Sequence, residues 1–165
     1  MWLFVYILIK LIHPNLSNAA ADSYANAIDK QSDIDPLIFI TIIEHESQFT
    51  ARAISGDGED YGLMQVRARY YHGKPNWLLD GPNNIRVGAH TIRESQKFCR
   101  QYLKREPEYE EWLACYTGSC VGSQVCKPTK LTHQFANYTE CLRDQTTYYP
   151  VGNLQGCREI FDRKP

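Results

Sequence analysis

The chain has 165 residues, 43% hydrophobic and 22% charged, with a formal net charge of −1. That composition excludes a disordered chain. The near-neutral balance excludes a broad field that would draw nucleic acid or an anionic membrane. The length fits one domain whose core needs no structural metal.

Residues 1–12 are apolar apart from Lys10. The run is too short to span a bilayer, which takes about 20 apolar residues as a helix. His13-Pro14-Asn15 breaks it, and Ala19-x-Ala21 before Asp22 has the small-residue pattern of a signal-peptidase site. The stretch before the apolar run holds no Lys or Arg, so only the amino terminus supplies positive charge. Residues 1–21 are therefore expected to be a signal peptide, with an uncleaved anchor or a wrongly assigned start codon as the alternatives. A single domain follows over 22–165, exported to the periplasm or cell envelope, with no stable membrane span after cleavage.

Next comes a short helix, Tyr24–Ile28, capped by Asp22 or Ser23. Asp35 is a good N-cap and Pro36 a good first residue for a helix running to about Ser47. Leu37, Ile38, Phe39, Ile40, Ile42 and Ile43 leave that helix almost no polar face, which marks it as central and surrounded. The run could also be a buried strand, but the Asp-Pro start and the length favour helix. Residues 50–60 are small, polar and glycine-bearing, hence loop. A second short helix is expected from about Gly62 to Ala68, then an aromatic loop through Tyr70, Tyr71 and Trp77. A long helix from Asn84 to about Arg105 buries Ile85, Gly88, Ala89, Ile92, Gln96, Cys99 and Leu103. Pro107 stops it. Helices follow at Glu110 to about Tyr116, with Trp112 inward, and at Thr129 to about Asp144, striped by Leu131, Phe135, Tyr138 and Leu142. The tail from Thr146 reads as loop with one turn near Cys157.

The six cysteines, Cys99, Cys115, Cys120, Cys126, Cys141 and Cys157, all lie late in the chain. An even number behind a signal peptide reads as disulfides in an oxidising compartment. Cys120 with Cys126 is the first pair expected, across a short loop. No Cys/His spacing suits zinc, and neither a metal nor a cofactor is expected.

Chemistry concentrates at the end of the central helix. Glu44 and Glu46 are about 200° apart around a helix, so they are not a carboxylate pair. Glu44 is the one expected to be solvated or paired. Glu46 sits in the last turn, where the helix dipole disfavours a carboxylate. Burial in the core would act in the same direction, leaving an acid able to donate a proton. Position alone does not separate that from a surface Glu at a frayed helix end.

The neighbourhood does. Glu46-Ser47-Gln48-Phe49, then Ala53-x-Ser55, Gly62-Leu63-Met64-Gln65, Asn84-Ile85-x-x-Gly88 and, more loosely, Ala114-Cys115-Tyr116-Thr117-Gly118 follow one another in order. This series resembles the lytic transglycosylase family with the SLT-type, goose-lysozyme-like catalytic domain, over about residues 30 to 120. The resemblance implies a mainly α, lysozyme-like helical domain with a buried central helix and, here, a Cys-rich C-terminal extension from about 118. It implies that Glu46 is the catalytic acid/base. By the same resemblance Ser47, Gln65 and Tyr116 line the glycan groove, Ser55 faces the reacting sugar and Met64 packs against the glycan. Gly62, Leu63, Asn84 and Gly88 hold the frame. Thr117 stands where the family usually has Asn, and Gly118-Ser119-Cys120 replaces its glycine-rich end, so the groove wall beyond Tyr116 is expected to differ.

The implied reaction uses one carboxyl group twice. Glu46 protonates the glycosidic oxygen between MurNAc and GlcNAc, then takes the proton of the sugar's own 6-hydroxyl, which closes to 1,6-anhydroMurNAc. The intramolecular nucleophile needs no positioned water, unlike the two-carboxylate arrangement of most glycosidases. Asp57, Glu59 or Asp60 could instead activate a water, giving a hydrolytic goose-type lysozyme. A non-catalytic peptidoglycan-binding module is the alternative from another class. The partners implied are peptidoglycan glycan strands and, from size and family, a secretion, conjugation or pilus apparatus. His45 reads as solvent-facing, and Tyr70 and Tyr71 as sugar-stacking candidates.

Overall fold

Asp35 and Pro36 start a helix as the sequence predicts. The Asp35 carboxylate accepts from the Leu37 N–H at 2.9 Å, and Pro36 takes the first helical position. In the computed structural model, which describes residues 1–71, 74–118, 127–148 and 154–162, this helix, α3, spans Pro36–Ser47. Residues 37 to 44 are all buried, as a helix without a polar face requires. The chain divides into two units, Met1–Ala89 and His90–Pro165.

In the first unit α1 (Trp2–Ile12) and α2 (Asn18–Asp29) precede α3. α2 begins six residues ahead of the expected Tyr24. Ser17 caps it through the Ala20 N–H, and the Ala-rich run that resembles a cleavage site propagates the helix. α1 turns Val5, Leu8, Ile9 and Ile12 inward against α2, while Leu3, Phe4, Ile7 and Leu11 stay exposed.

The helix expected at Gly62–Ala68 does not form. Two short strands, β1 (Asp60–Tyr61) and β2 (Val66–Arg67), pair antiparallel with Asp60 opposite Arg67 and Tyr61 opposite Val66. Ile54 adds a bridge to Tyr61. Gly62-Leu63-Met64-Gln65 is thus the turn of a small hairpin. Gly62 (φ 77°) and Gln65 (φ 43°) are both left-handed, which no helix accommodates. Short 3-10 turns at Ala68–Tyr70 and Pro75–Leu79 lead into α4 (Gly81–Leu103), which ends in the second unit. Ile85, Ala89, Ile92 and Cys99 of its predicted stripe are buried.

The second unit continues with α5 (Tyr109–Tyr116), α6 (Lys130–Tyr148) and α7 (Leu154–Asp162). α7 replaces the loop expected in the tail. Disulfides join Cys99 to Cys115 and Cys141 to Cys157, the second fastening α7 to α6. The Tyr109 hydroxyl lies 2.9 Å from Thr139 Oγ1, linking α5 to α6. Phe135, Tyr138 and Leu142 are buried as their spacing predicts. The expected Cys120–Cys126 pair lies outside the described residues. The domain is mainly helical, with the disulfides in its C-terminal region.

Candidate active site

α3 ends abruptly after Ser47, one residue beyond Glu46. Gln48 (φ 49°) and Phe49 (φ 59°) are consecutive left-handed residues, neither of them glycine. Such conformations carry strain of about 1–3 kcal/mol each and persist where the surroundings enforce them. Phe49 is buried, which is part of that enforcement. The Gln48 N–H returns to the Glu44 carbonyl at 3.2 Å and closes the helix.

Glu44 is paired, one of the two states expected of it, and the burial expected of Glu46 falls on Glu44 instead. Glu44 is only 5% exposed and pairs with His13 Nε2 from the turn after α1. Glu46 is 28% exposed, and its Oε1 lies 3.6 Å from His45 Nδ1. The burial anticipated for Glu46 therefore belongs to its neighbour, and Glu46 stands at the helix end with access to solvent.

Ser47 ties this helix end to the hairpin. Its hydroxyl lies 2.8 Å from the Leu63 carbonyl and 3.2 Å from the Ile43 carbonyl. The turn itself hangs on Asn84 at the start of α4. Asn84 is fully buried; its Oδ1 accepts from the Met64 N–H at 2.7 Å, and its Nδ2 donates to the Tyr61 and Leu78 carbonyls at 2.7 and 2.9 Å. Gly62 permits this approach. A Cβ there would meet the Leu78 carbonyl oxygen at 2.2 Å and Asn84 Nδ2 at 2.3 Å. Gly88 likewise makes room for Met64, whose sulfur would lie 2.2 Å from an added Cβ. The frame roles expected of Gly62, Leu63, Asn84 and Gly88 thus have a physical basis. Met64 is 2% exposed, so its thioether faces protein.

Gln65 is half-buried, and its amide nitrogen donates to the Gly62 carbonyl at 2.9 Å and the Ala53 carbonyl at 3.3 Å. With the nitrogen so placed, the orientation of the amide is fixed. Its oxygen has no partner among the described residues.

The acidic loop is organised around a residue the sequence reading passed over. Arg67 takes Asp60 side-on, Nε to Oδ1 at 2.8 Å and Nη2 to Oδ2 at 2.9 Å. It also lies 3.4 Å from Asp57 and 3.6 Å from Glu59. Asp60 hydrogen bonds raise the guanidinium above its ordinary range. The Ser55 hydroxyl bonds the Asp57 carboxylate and accepts from the Glu59 and Asp60 N–H groups at 3.2 and 2.9 Å. The Ser55 hydroxyl foremost, then the Glu59 N–H, which donates to Asp57 Oδ1 at 3.1 Å, and the Arg67 charge hold the Asp57 carboxyl below the usual carboxylate range. Ser55 thus organises the loop. Three acids shortly ahead of one Arg in the sequence are the available signal for Arg67.

Tyr116 belongs to the second unit, at the end of α5, half-buried and edge-on to Trp112. Of the residues the sequence reading assigns to substrate, Ser47, Ser55, Met64 and Gln65 accordingly fall in the first unit with Glu46, and Tyr116 in the second. Tyr71 stacks on Trp77 at 5.4 Å and 9°, and the Arg86 guanidinium lies 4.8 Å from the Trp77 ring centre. Trp77 is half-buried within that stack. Among the described residues no group of His, Cys, Asp and Glu is arranged to hold a metal. No described helix is long and apolar enough to cross a membrane.

Neither a curated protein nor a solved structure matches the chain. The sequence model of the transglycosylase SLT domain matches residues 23–127, more than half of the chain, including α3, the hairpin, α4 and α5. The chain belongs to the SLT transglycosylase domain family, whose general activity is that of peptidoglycan lytic transglycosylases.

Proposed function

We propose that the protein cleaves the β-1,4 bond between MurNAc and GlcNAc in peptidoglycan and releases 1,6-anhydroMurNAc, with Glu46 as acid and then base. The observation that carries this is the setting of Glu46: solvent access at the end of a buried helix, fastened through Ser47 to the Gly62–Gln65 turn. Glu46 protonates the leaving oxygen, then takes the proton of the 6-hydroxyl as that oxygen attacks the anomeric carbon. Each cycle returns the proton it used. Gln65 offers its free amide oxygen as an acceptor for a sugar N–H or O–H. Ser47 and Ser55 act by holding the helix end and the loop, Met64 by filling the space under the turn, and Tyr116 as a contact on the glycan.

The single-carboxyl reading is favoured over hydrolysis because Asp57, Glu59 and Asp60 gather on Arg67. A base that must activate water is better left without a cation. Export through residues 1–21 is part of the proposal, and the family match beginning at residue 23, just past Ala21, supports it. Local wall opening for a secretion, conjugation or pilus apparatus is the proposed use.

Purified sacculi digested with wild type and Glu46→Gln test this. Wild type is expected to release anhydro-muropeptides and Glu46→Gln to lose at least about 100-fold in rate, the usual contribution of a general acid/base. Equal activity of the two would sink the catalytic reading in favour of a binding module. Products ending in reducing MurNAc would establish the hydrolase instead.

A further inference from the structure

The guanidinium groups of Arg67, Arg100, Arg105 and Arg143 each lie on a carboxylate. Arg86 does not. It is exposed and lies over the Trp77 ring, 4.8 Å from the ring centre, and among the described residues its side chain has no ion pair or hydrogen bond. Tyr71 stacks on the same indole, 5.4 Å away and within 9° of parallel. Both rings are half-buried, and neither the Tyr71 hydroxyl nor the Trp77 N–H has a hydrogen-bond partner among the described residues. A guanidinium over a ring is attracted by the π face and keeps the N–H donors at its edge free. Part of its side-chain freedom is already lost, so capturing an anion costs less. The cluster is joined to the frame of the hairpin: Trp77 precedes Leu78, whose carbonyl accepts from Asn84, and Arg86 is two residues past Asn84.

We infer that Arg86, held over Trp77 beside Tyr71, is a subsite for a carboxylate of the peptide stems carried by peptidoglycan, so that the enzyme prefers stem-bearing strands to bare glycan. The inference rests on peptidoglycan being the substrate. Two carboxylates of that polymer would suit a guanidinium: one on a stem, and the lactyl group of a MurNAc that has lost its stem. The geometry favours the stem. Positions two apart on a helix point about 200° apart. Arg86 therefore leaves α4 on the side away from Asn84 and from the turn that Asn84 holds. A lactyl group is fixed to its sugar and stays close to the glycan. A stem of several residues extends by about 3.3–3.6 Å per residue and can pass the turn to reach Arg86. Tyr71 and Trp77 offer that stem an apolar wall with a hydroxyl and an N–H at its edges.

The test is the ratio of kcat/KM on soluble glycan fragments that carry their stems to that on the same fragments stripped of stems by an amidase. A ratio taken within one variant cancels any loss of folded protein. Arg86→Gln is expected to lower the ratio about two- to fivefold, the scale of an exposed ion pair, and by less at high salt. Amidation of the stem carboxylates should lower the ratio of wild type by a similar factor and leave that of Arg86→Gln where it is. An unchanged ratio in Arg86→Gln, or a wild-type ratio indifferent to amidation, would overturn the inference. A ratio that rises in Arg86→Gln would overturn it in favour of the lactyl carboxylate. Binding of both kinds of fragment to Glu46→Gln, with and without Arg86→Gln, separates the subsite from the chemistry. A Kd for stem-bearing fragments about two- to fivefold weaker without Arg86 supports the subsite even if Glu46→Gln still cleaves and the acid/base reading has failed. If neither kind of fragment binds, the peptidoglycan reading has failed and the subsite with it.

Discussion

The two units of this chain are held together by different chemistry. All six cysteines lie beyond Ala89, and the second unit carries disulfides at Cys99–Cys115 and Cys141–Cys157. The first unit has none. Its hairpin is fixed by a buried asparagine, a serine on the end of α3, a guanidinium among three carboxylates, and glycines that admit close neighbours. The contrast separates two tasks. A covalent staple lowers the entropy of the unfolded chain but places atoms only coarsely. A fully satisfied polar network sets positions to within a hydrogen-bond length, which is what the proposed role of Glu46 requires.

The largest effect is expected at the centre of the first network. Asn84→Ala leaves the Met64 N–H and the Tyr61 and Leu78 carbonyls without their partner. Each abandoned buried group costs about 1–3 kcal/mol, so a loss of at least about 3 kcal/mol is expected in denaturant unfolding. A loss below about 1 kcal/mol would mean that water replaces the side chain and the hub is dispensable. The second unit should yield next. Cys141→Ser opens a loop of sequence separation 16, and the chain-entropy relation gives about 3 kcal/mol for loops of that length. Proteolysis should then reach α7 while the hairpin keeps its protection; simultaneous exposure of both would show that the units do not hold themselves together separately. The smallest effect is expected in the acidic loop. The Asp57 carboxyl is held below the ordinary carboxylate range by Ser55, the Glu59 N–H and Arg67. The support it lends is therefore complete above about pH 4, where an unfolded Asp ionises, and is lost as pH falls through the lower folded value. Amide exchange at Glu59 and Asp60, corrected for intrinsic rate, should accelerate only in that acid range, with Met64 unchanged. Acceleration already at pH 6 would assign the loop's order to something other than Asp57.

Legibility in the sequence followed the range of the interactions. α3 was readable to its ends because its signals, Asp35, Pro36 and the unbroken apolar run, act within a few residues. The stripes of α4 and α6 were readable for the same reason. The hairpin was not. Its turn depends on left-handed Gly62 and Gln65 and on Asn84, twenty residues from Met64, so a local reading filled the gap with a helix. The start of α2 is not legible because Ala19–Ala21 carries two messages, cleavage site and helix former, and only the second shows in the fold. The burial of Glu44 in place of Glu46 has no local signal. A helix apolar nearly all round gives no face by which to orient its few polar residues, and the partner, His13, is 31 residues away. α7 was passed over because nine residues make a weak pattern, and its support is a disulfide to another helix. The motif series named candidate site residues in the chain; it did not distinguish those with access to solvent, such as Glu46, from those that are buried, such as Met64.

The paired left-handed residues after Glu46 have a mechanical consequence. With Gln48 and Phe49 in a conformation that has few accessible neighbours, and Phe49 buried, the helix cannot lengthen, fray or slide by a residue without losing that anchorage. The Cα of Glu46 is in effect bolted down. In the proposed reaction its carboxyl must serve first the glycosidic oxygen and then the 6-hydroxyl, two atoms on different sides of one sugar. The reach between them has to come from side-chain torsions and from the two oxygens of a single carboxyl group, swinging like a short lever on a fixed pivot.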